Sequence, residues 1–233
     1  MSSIAYANAL YKPPKTADLM KLYKLMFSRS GFLDWWPGDT KEEIFVGAIL
    51  TQQTTWKNVE KAMANLKAAK LLSIKQLSNA TTNEIGSCIK PSGYYRQKSN
   101  HLKGACSYIL KNYGSLEGLF KLKTKELRKT LLSIKGIGPE TADSIILYAA
   151  EKPTFVIDAY TKRIMGRVFG TSQDMSYSEL KSLFESSLRP NTDLYNDFHA
   201  QFVELGKNYC KTKPLCGSCP VKVMCKYVKS SNV

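Results

Sequence analysis

The chain has 233 residues with 34 Lys and Arg against 19 Asp and Glu, a formal charge of +15 and a pI near 9.5, a balance suited to phosphate-bearing partners. Hydrophobic residues make up 43% and the mean hydropathy is -0.27. No run approaches the roughly 18 to 20 apolar residues that span a bilayer, so the reading excludes a membrane protein.

The first residues, Met1 to Thr16, hold Lys12 and Lys15 but no apolar run with a small-residue cleavage site. No secretory signal is read there, and an intracellular setting is expected, cytoplasmic and nucleoid-associated in a prokaryote. Apolar residues then recur at spacings of three and four, which predicts an all-α chain. In chain order, helices are expected over Glu42–Leu50, Val59–Leu66, Gln97–Leu110, Leu127–Ser133, Pro139–Ala150, Ala159–Val168 and Tyr177–Leu188. Loops fall at Gly38-Asp39, Pro91-Ser92-Gly93, Lys152-Pro153 and Arg189-Pro190, where Pro and Gly punctuate helices.

Two features carry chemistry in the middle of the chain. Leu131 to Ala142 contains Lys135-Gly136-Ile137-Gly138-Pro139, which reads as helix, Gly-x-Gly turn and helix, with Pro at the first position of the second helix. Glycines there let backbone N–H groups approach a phosphate, and the following helix N-terminus favours the same anion. A tight corner between helices is the plainer alternative. Eighteen residues past Glu140, Phe155-Val156-Ile157-Asp158-Ala159-Tyr160 sets one acid after an apolar run and before a helix. Asp158 sits where an N-cap sits.

At the C-terminal end, Cys210, Cys216, Cys219 and Cys225 form Cys-x5-Cys-x2-Cys-x5-Cys. Four thiols so close in an intracellular chain argue for a metal rather than for disulfides, and spacing alone leaves tetrahedral zinc and an iron–sulfur cluster both open. Lys207, Lys211, Lys213, Lys222 and Lys226 surround them, suiting DNA phosphates.

The hairpin followed at this distance by an aspartate resembles the helix-hairpin-helix DNA glycosylases typified by endonuclease III, over about Glu42 to Cys225. The resemblance implies two helical lobes around a cleft, a C-terminal four-cysteine loop and a monomer bound to duplex DNA containing a damaged base. The expected lobes are residues 1–39 with 153–233, and 40–152, and Asp158 and the hairpin are expected to face one another across the cleft. The resemblance further implies that Asp158 is catalytic, that Lys135, Gly136, Ile137 and Gly138 grip the DNA backbone, and that the four cysteines hold a [4Fe-4S] cluster. The first gap between cysteines is five residues here, against six in the usual pattern.

Bifunctional members of that superfamily carry a lysine before the Thr-Ala of the second hairpin helix, and this chain has Glu140. A carboxylate cannot form the imine through which such a lysine cuts the strand, so a monofunctional enzyme is implied. In relatives, a glutamine of the loop after the first core helix fills the gap left by a flipped nucleotide. Gln53 matches it best, with Gln52 the alternate; Tyr94 matches a second wedge, and Lys98 is placed to meet a phosphate.

Trp35-Trp36-Pro37 with Trp56 resembles the endonuclease III-like 3-methyladenine glycosylases, which also carry glutamate at the Glu140 position. Core packing is the ordinary explanation of such aromatics. The resemblance implies instead a pocket for cationic alkylated purines, which a desolvated tryptophan face attracts by about 1–2 kcal/mol. Other readings stay open. They are a monofunctional glycosylase for uracil, mismatched thymine or adenine opposite 8-oxoguanine; a bifunctional glycosylase and lyase using another lysine; and a catalytically silent DNA-binding module.

Overall fold

The computed structural model describes residues 12–33 and 35–230, so most of the stretch read above for a secretory signal lies outside the described residues. Every regular element among them is helical, and no helix is long and apolar enough to cross a membrane. The chain divides into two compact units, Met1–Trp35 with Phe155–Val233, and Trp36–Thr154. The divisions expected from sequence fell after residues 39 and 152.

The central unit holds α2 (Lys41–Leu50), α3 (Trp56–Ala68), α4 (Ile74–Asn79), α5 (Thr82–Ile89), α6 (Tyr95–Tyr113), α7 (Leu116–Phe120), α8 (Thr124–Ser133) and α9 (Pro139–Ser144). Polar side chains set where these begin. Thr40 accepts from the amide of Glu43, and Ser73 with Gln76 and Thr81 with Glu84 form reciprocal capping boxes, each satisfying amides that the first turn leaves without partners. The long α6 packs on α4 and α5, and α3 packs on α5. Leu50, Val59, Leu77, Ile89, Leu102 and Leu131 are fully buried in the shared core, each worth roughly 2 kcal/mol of apolar transfer. Past α9 the helix widens into a π-turn over Ile145–Ala149, all of it buried, so the helix expected from Pro139 to Ala150 is two kinds of helix in series.

The other unit holds α1 (Thr16–Ser30), α10 (Ala159–Phe169), α11 (Tyr177–Ser187), α12 (Thr192–Asn208) and α13 (Lys226–Ser230). Its core is aromatic. Phe155 stacks on Phe184 at 4.0 Å, Phe198 stacks on Phe202 at 5.1 Å, and Tyr195 meets Phe155 edge-on. Burial of Phe155, Val156 and Ile157 draws the extended segment before α10 into that core. There the Phe155 amide donates to Glu185 at 2.9 Å, and the Lys181 ammonium donates to the Phe155 carbonyl at 3.2 Å. This pinned segment fixes where α10 starts.

Candidate functional site

Asp158 ends the pinned segment and caps α10. Its Oδ1 accepts from the amide of Thr161 at 2.7 Å and from the Thr161 hydroxyl at 2.8 Å, while Oδ2 faces Nε2 of His199 at 3.7 Å. That last separation is an electrostatic contact rather than a hydrogen bond. The carboxylate is only 12% exposed and His199 5%. Burial on its own pushes the acid's pKa up, but His199 and the two Thr161 donors outweigh it, holding the group below the ordinary carboxylate value. The result is a mostly buried carboxylate that stays ionised. His199 was not singled out from sequence. The signal available was Asp197, His199 and Gln201 set within the aromatic run Tyr195 to Phe202, where polar residues inside a buried helix demand a reason.

Two other buried acids are structural. Asp143 is held by a two-pronged Arg128 contact at 2.8 and 3.0 Å and by Thr154. Asp197 accepts from the Tyr23 hydroxyl at 2.8 Å and the Leu33 amide at 3.0 Å. Both are satisfied within their own unit, as buried carboxylates must be.

The hairpin has the expected form. Gly136 adopts φ 92°, and a Cβ there would stand 2.3 Å from the His101 ring, so both backbone and space require glycine. Gly138 caps α9 and has open space where a side chain would begin. Lys135 is exposed and Ile137 is buried beneath the turn. Glu140 is exposed in the first turn of α9, where the helix dipole favours an acid.

Gln52 and Gln53 part company. Gln52 donates to the Gly136 carbonyl at 2.9 Å and the Thr141 hydroxyl at 3.0 Å, bracing the hairpin. Gln53 is exposed with φ 54°. Tyr94 is likewise left-handed, φ 45°, and 64% exposed. Lys98 corrects the expectation that it meets a phosphate. It is 3% exposed, and its ammonium donates to the carbonyls of Leu50 at 2.8 Å and Ser92 at 2.7 Å, so its charge is spent inside the protein. Burial pushes its pKa down to about 8.

Trp36 and Trp56 come together edge to face at 5.3 Å, with Tyr148 of the π-turn 5.0 Å from Trp36 and Gly47 of α2 facing both indoles. Tyr148 was missed from sequence, where it reads only as one apolar position of a helix. Trp35 lies in the other unit, where the Lys207 ammonium stands 5.1 Å over its ring.

Cys210, Cys216, Cys219 and Cys225 are all free thiols lining one small cavity of about 20 Å3. Arg167 reaches Cys210 Sγ at 3.3 Å, and Cys225 Sγ donates to the Arg167 carbonyl at 3.4 Å. Burial and the neighbouring sulfurs push the Cys216 and Cys219 thiols up. The sulfurs share a cavity, yet among the described residues no group of three or more His, Cys, Asp or Glu is arranged to hold a metal ion. Of the nearby lysines, Lys222 donates to the Gly217 carbonyl and Lys226 to that of Phe169, both at 2.9 Å, while Lys211 and Lys213 are exposed.

Comparison with known proteins gives the family. Residues 46–190 match the HhH-GPD superfamily base excision DNA repair protein family. A protein of Methanocaldococcus jannaschii named for DNA repair glycosylase activity is 42% identical over 216 residues, 92% of this chain and 98% of its own. Among solved structures, the 3-methyladenine DNA glycosylase of H. pylori bound to 1,N6-ethenoadenine is 30% identical with a TM-score of 0.71, covering 83% of this chain and 98% of that one. A non-covalent endonuclease III–DNA complex shares the fold, with a TM-score of 0.79 at 19% identity over 93% of this chain and 98% of its own. The hairpin, the ionised aspartate and these likenesses together make the chain a member of the HhH-GPD superfamily of base excision repair DNA glycosylases, enzymes that hydrolyse the N-glycosidic bond of a base in DNA.

Proposed function

We propose that this glycosylase is monofunctional and acts on alkylated purines such as 3-methyladenine. The observation that carries the hydrolytic reading is Asp158, buried yet held ionised. Cleaving the glycosidic bond leaves positive charge on the sugar. A fixed carboxylate offsets that charge and orients the water that adds to it. Oδ1 is engaged by Thr161, so Oδ2, which stands beside His199, is the oxygen assigned to the reacting centre. At the family lysine position stands Glu140, which has no amine to attack the sugar, so the product is an abasic site on an uncut strand.

The alkylated purine is supported by the Trp36–Trp56–Tyr148 aromatic group and by the likeness to a 3-methyladenine glycosylase. A cationic methylated base gains from indole faces and leaves readily, so one carboxylate suffices. Trp35, grouped with these indoles in the sequence, belongs to the other unit, and the pocket reading rests on Trp36 and Trp56. Gln53 and Tyr94, both exposed and left-handed, are the wedge that fills the space of the flipped nucleotide, with Gln52 in support. Lys135 to Gly138 hold the backbone phosphates.

The four cysteines fit a thiolate-bound group, because all are free, none is diverted into a disulfide, and all line one cavity. A single zinc ion would need the four sulfurs about 2.3 Å from one point. The same four thiolates would hold a four-iron cluster, the group that the family resemblance implies. Held by Cys210, Cys216, Cys219 and Cys225, such a group would cross-link the loop between α12 and α13.

The test is excision from duplexes bearing 3-methyladenine, 7-methylguanine, uracil, thymine glycol or adenine opposite 8-oxoguanine, read before and after alkali. Release of methylated purine with alkali-dependent nicking is expected. Nicking without alkali on an oxidised pyrimidine would overturn both the substrate and the monofunctional reading.

A further inference from the structure

Lys98 is a buried cation both of whose hydrogen-bond partners are main-chain carbonyls. Leu50 is the last residue of α2, whose final carbonyls have no partners in the helix and carry the negative end of its dipole. Ser92 ends the 3-10 turn over Lys90–Ser92. One ammonium therefore closes two chain ends that lie 42 residues apart in sequence, 92 minus 50.

Each of those ends leads directly into a strained, exposed residue. Gln53 follows Leu50 by three positions with φ 54°, and Tyr94 follows Ser92 by two with φ 45°. A non-glycine residue in this region costs about 1–3 kcal/mol and persists only where its surroundings over-determine it. Tyr94 is 64% exposed, so packing of its own ring does not hold it there. What is fixed lies beneath it, in the carbonyl grip of Lys98. The same arrangement continues to the hairpin, because Gln52 ties the loop after α2 to the Gly136 carbonyl.

We propose that Lys98 is a positioning residue that locks the loops of Gln53 and Tyr94 into one rigid element, so that the two side chains enter the duplex as a single wedge. This rests on the wedge reading of Gln53 and Tyr94 given above. Replacing Lys98 by an apolar side chain of similar length leaves the Leu50 and Ser92 carbonyls without their donor and so lowers stability; for a lysine kept only for stability, that loss would leave the insertion unchanged. A positioning role predicts that such a replacement keeps the fold and loses the insertion.

The experiment uses the full-length protein and a duplex containing a tetrahydrofuran abasic analogue beside 2-aminopurine, whose fluorescence rises when the stack is opened. Lys98→Met should keep its helicity and its affinity for undamaged duplex and melt at a lower temperature, while the rate of the fluorescence rise, read well below that temperature, falls roughly tenfold. The exposed variants Gln53→Ala and Tyr94→Ala should each slow the rise, and Lys98→Met added to both should slow it no further, because coupled sites are not additive.

A normal rise in Lys98→Met alongside slowed Gln53→Ala and Tyr94→Ala overturns the positioning role and leaves the wedge reading standing. Unchanged rises in Gln53→Ala and Tyr94→Ala overturn the wedge reading and this proposal with it. Should Lys98→Met not fold, the Gln53→Ala/Tyr94→Ala double variant decides: losses no larger than the worse single support one locked element, and losses that multiply overturn it.

Discussion

Nε2 of His199 stands 3.7 Å from Oδ2 of Asp158, on the side of the carboxylate that Thr161 leaves open. One carboxyl group thus does two jobs with its two oxygens. Oδ1 starts a helix, and Oδ2 is held ionised beside an imidazole. The capping role suggested by the sequence and the catalytic role implied by the family do not compete for the same atom.

Asp158→Asn keeps an oxygen for the Thr161 donors but removes the charge. Excision under single-turnover conditions should fall roughly 100-fold or more, while helicity and duplex affinity remain close to wild type. Full turnover in this variant would remove Asp158 from the mechanism.

His199→Gln takes away a group that lowers the Asp158 pKa, so that pKa should rise. The acid limb of the excision profile should then move to higher pH, because the carboxylate protonates sooner as pH falls. Stability follows from the same shift. A native pKa below the unfolded value contributes stability above the unfolded value and loses it as pH falls through the native one, so His199→Gln should melt earlier than wild type near neutral pH and the gap should close in acid. An unmoved acid limb would mean that His199 has no hold on the carboxylate.

Gly136→Ala sets a methyl group against the His101 ring at a backbone angle of 92°. A loss of about 1–3 kcal/mol in stability is expected by denaturant unfolding, with weaker duplex binding. Gly138→Ala is the matched control, since that position has φ -89° and open space. It should fold normally and lose duplex affinity alone, through blocked approach to phosphate. Wild-type binding by Gly138→Ala would confine the grip to other parts of the turn.

Cys219→Ser removes one of the four thiols lining the cavity beside α10. Purified wild type should show brown visible absorption and about four iron atoms per chain, and the variant should lose both and melt at a lower temperature. A colourless wild type containing one zinc would replace the cluster with a tetrahedral ion.

Legibility in the sequence followed how local each feature is. Glu42–Leu50, Ala159–Val168 and Tyr177–Leu188 lie within a residue of the observed α2, α10 and α11; α10 and α11 each show one apolar stripe between a polar start and a Gly or Pro stop, while α2 is a short apolar run behind a Thr cap. By contrast α12, at 17 residues, went unpredicted. It is buried around most of its circumference, including Asp197, His199 and Gln201, so it shows no clean polar face for periodicity to find. The short α4, α5 and α7 have two turns or fewer, too little for a repeat to declare itself, though their Ser and Thr caps were visible.

The sequence by itself determined the class of the molecule, the glycine turn, the single acid before α10 and the four-cysteine spacing, because each depends on neighbours a few residues away. Only the tertiary structure decided which polar groups face inward. It turned the Lys98 ammonium onto two main-chain carbonyls, tied Gln52 to the hairpin while leaving Gln53 exposed, brought Tyr148 to Trp36, and put His199 beside Asp158. Burial and pairing of charge are set by residues distant in the chain, and a lysine's spacing does not say whether its ammonium ends on a phosphate or on its own backbone.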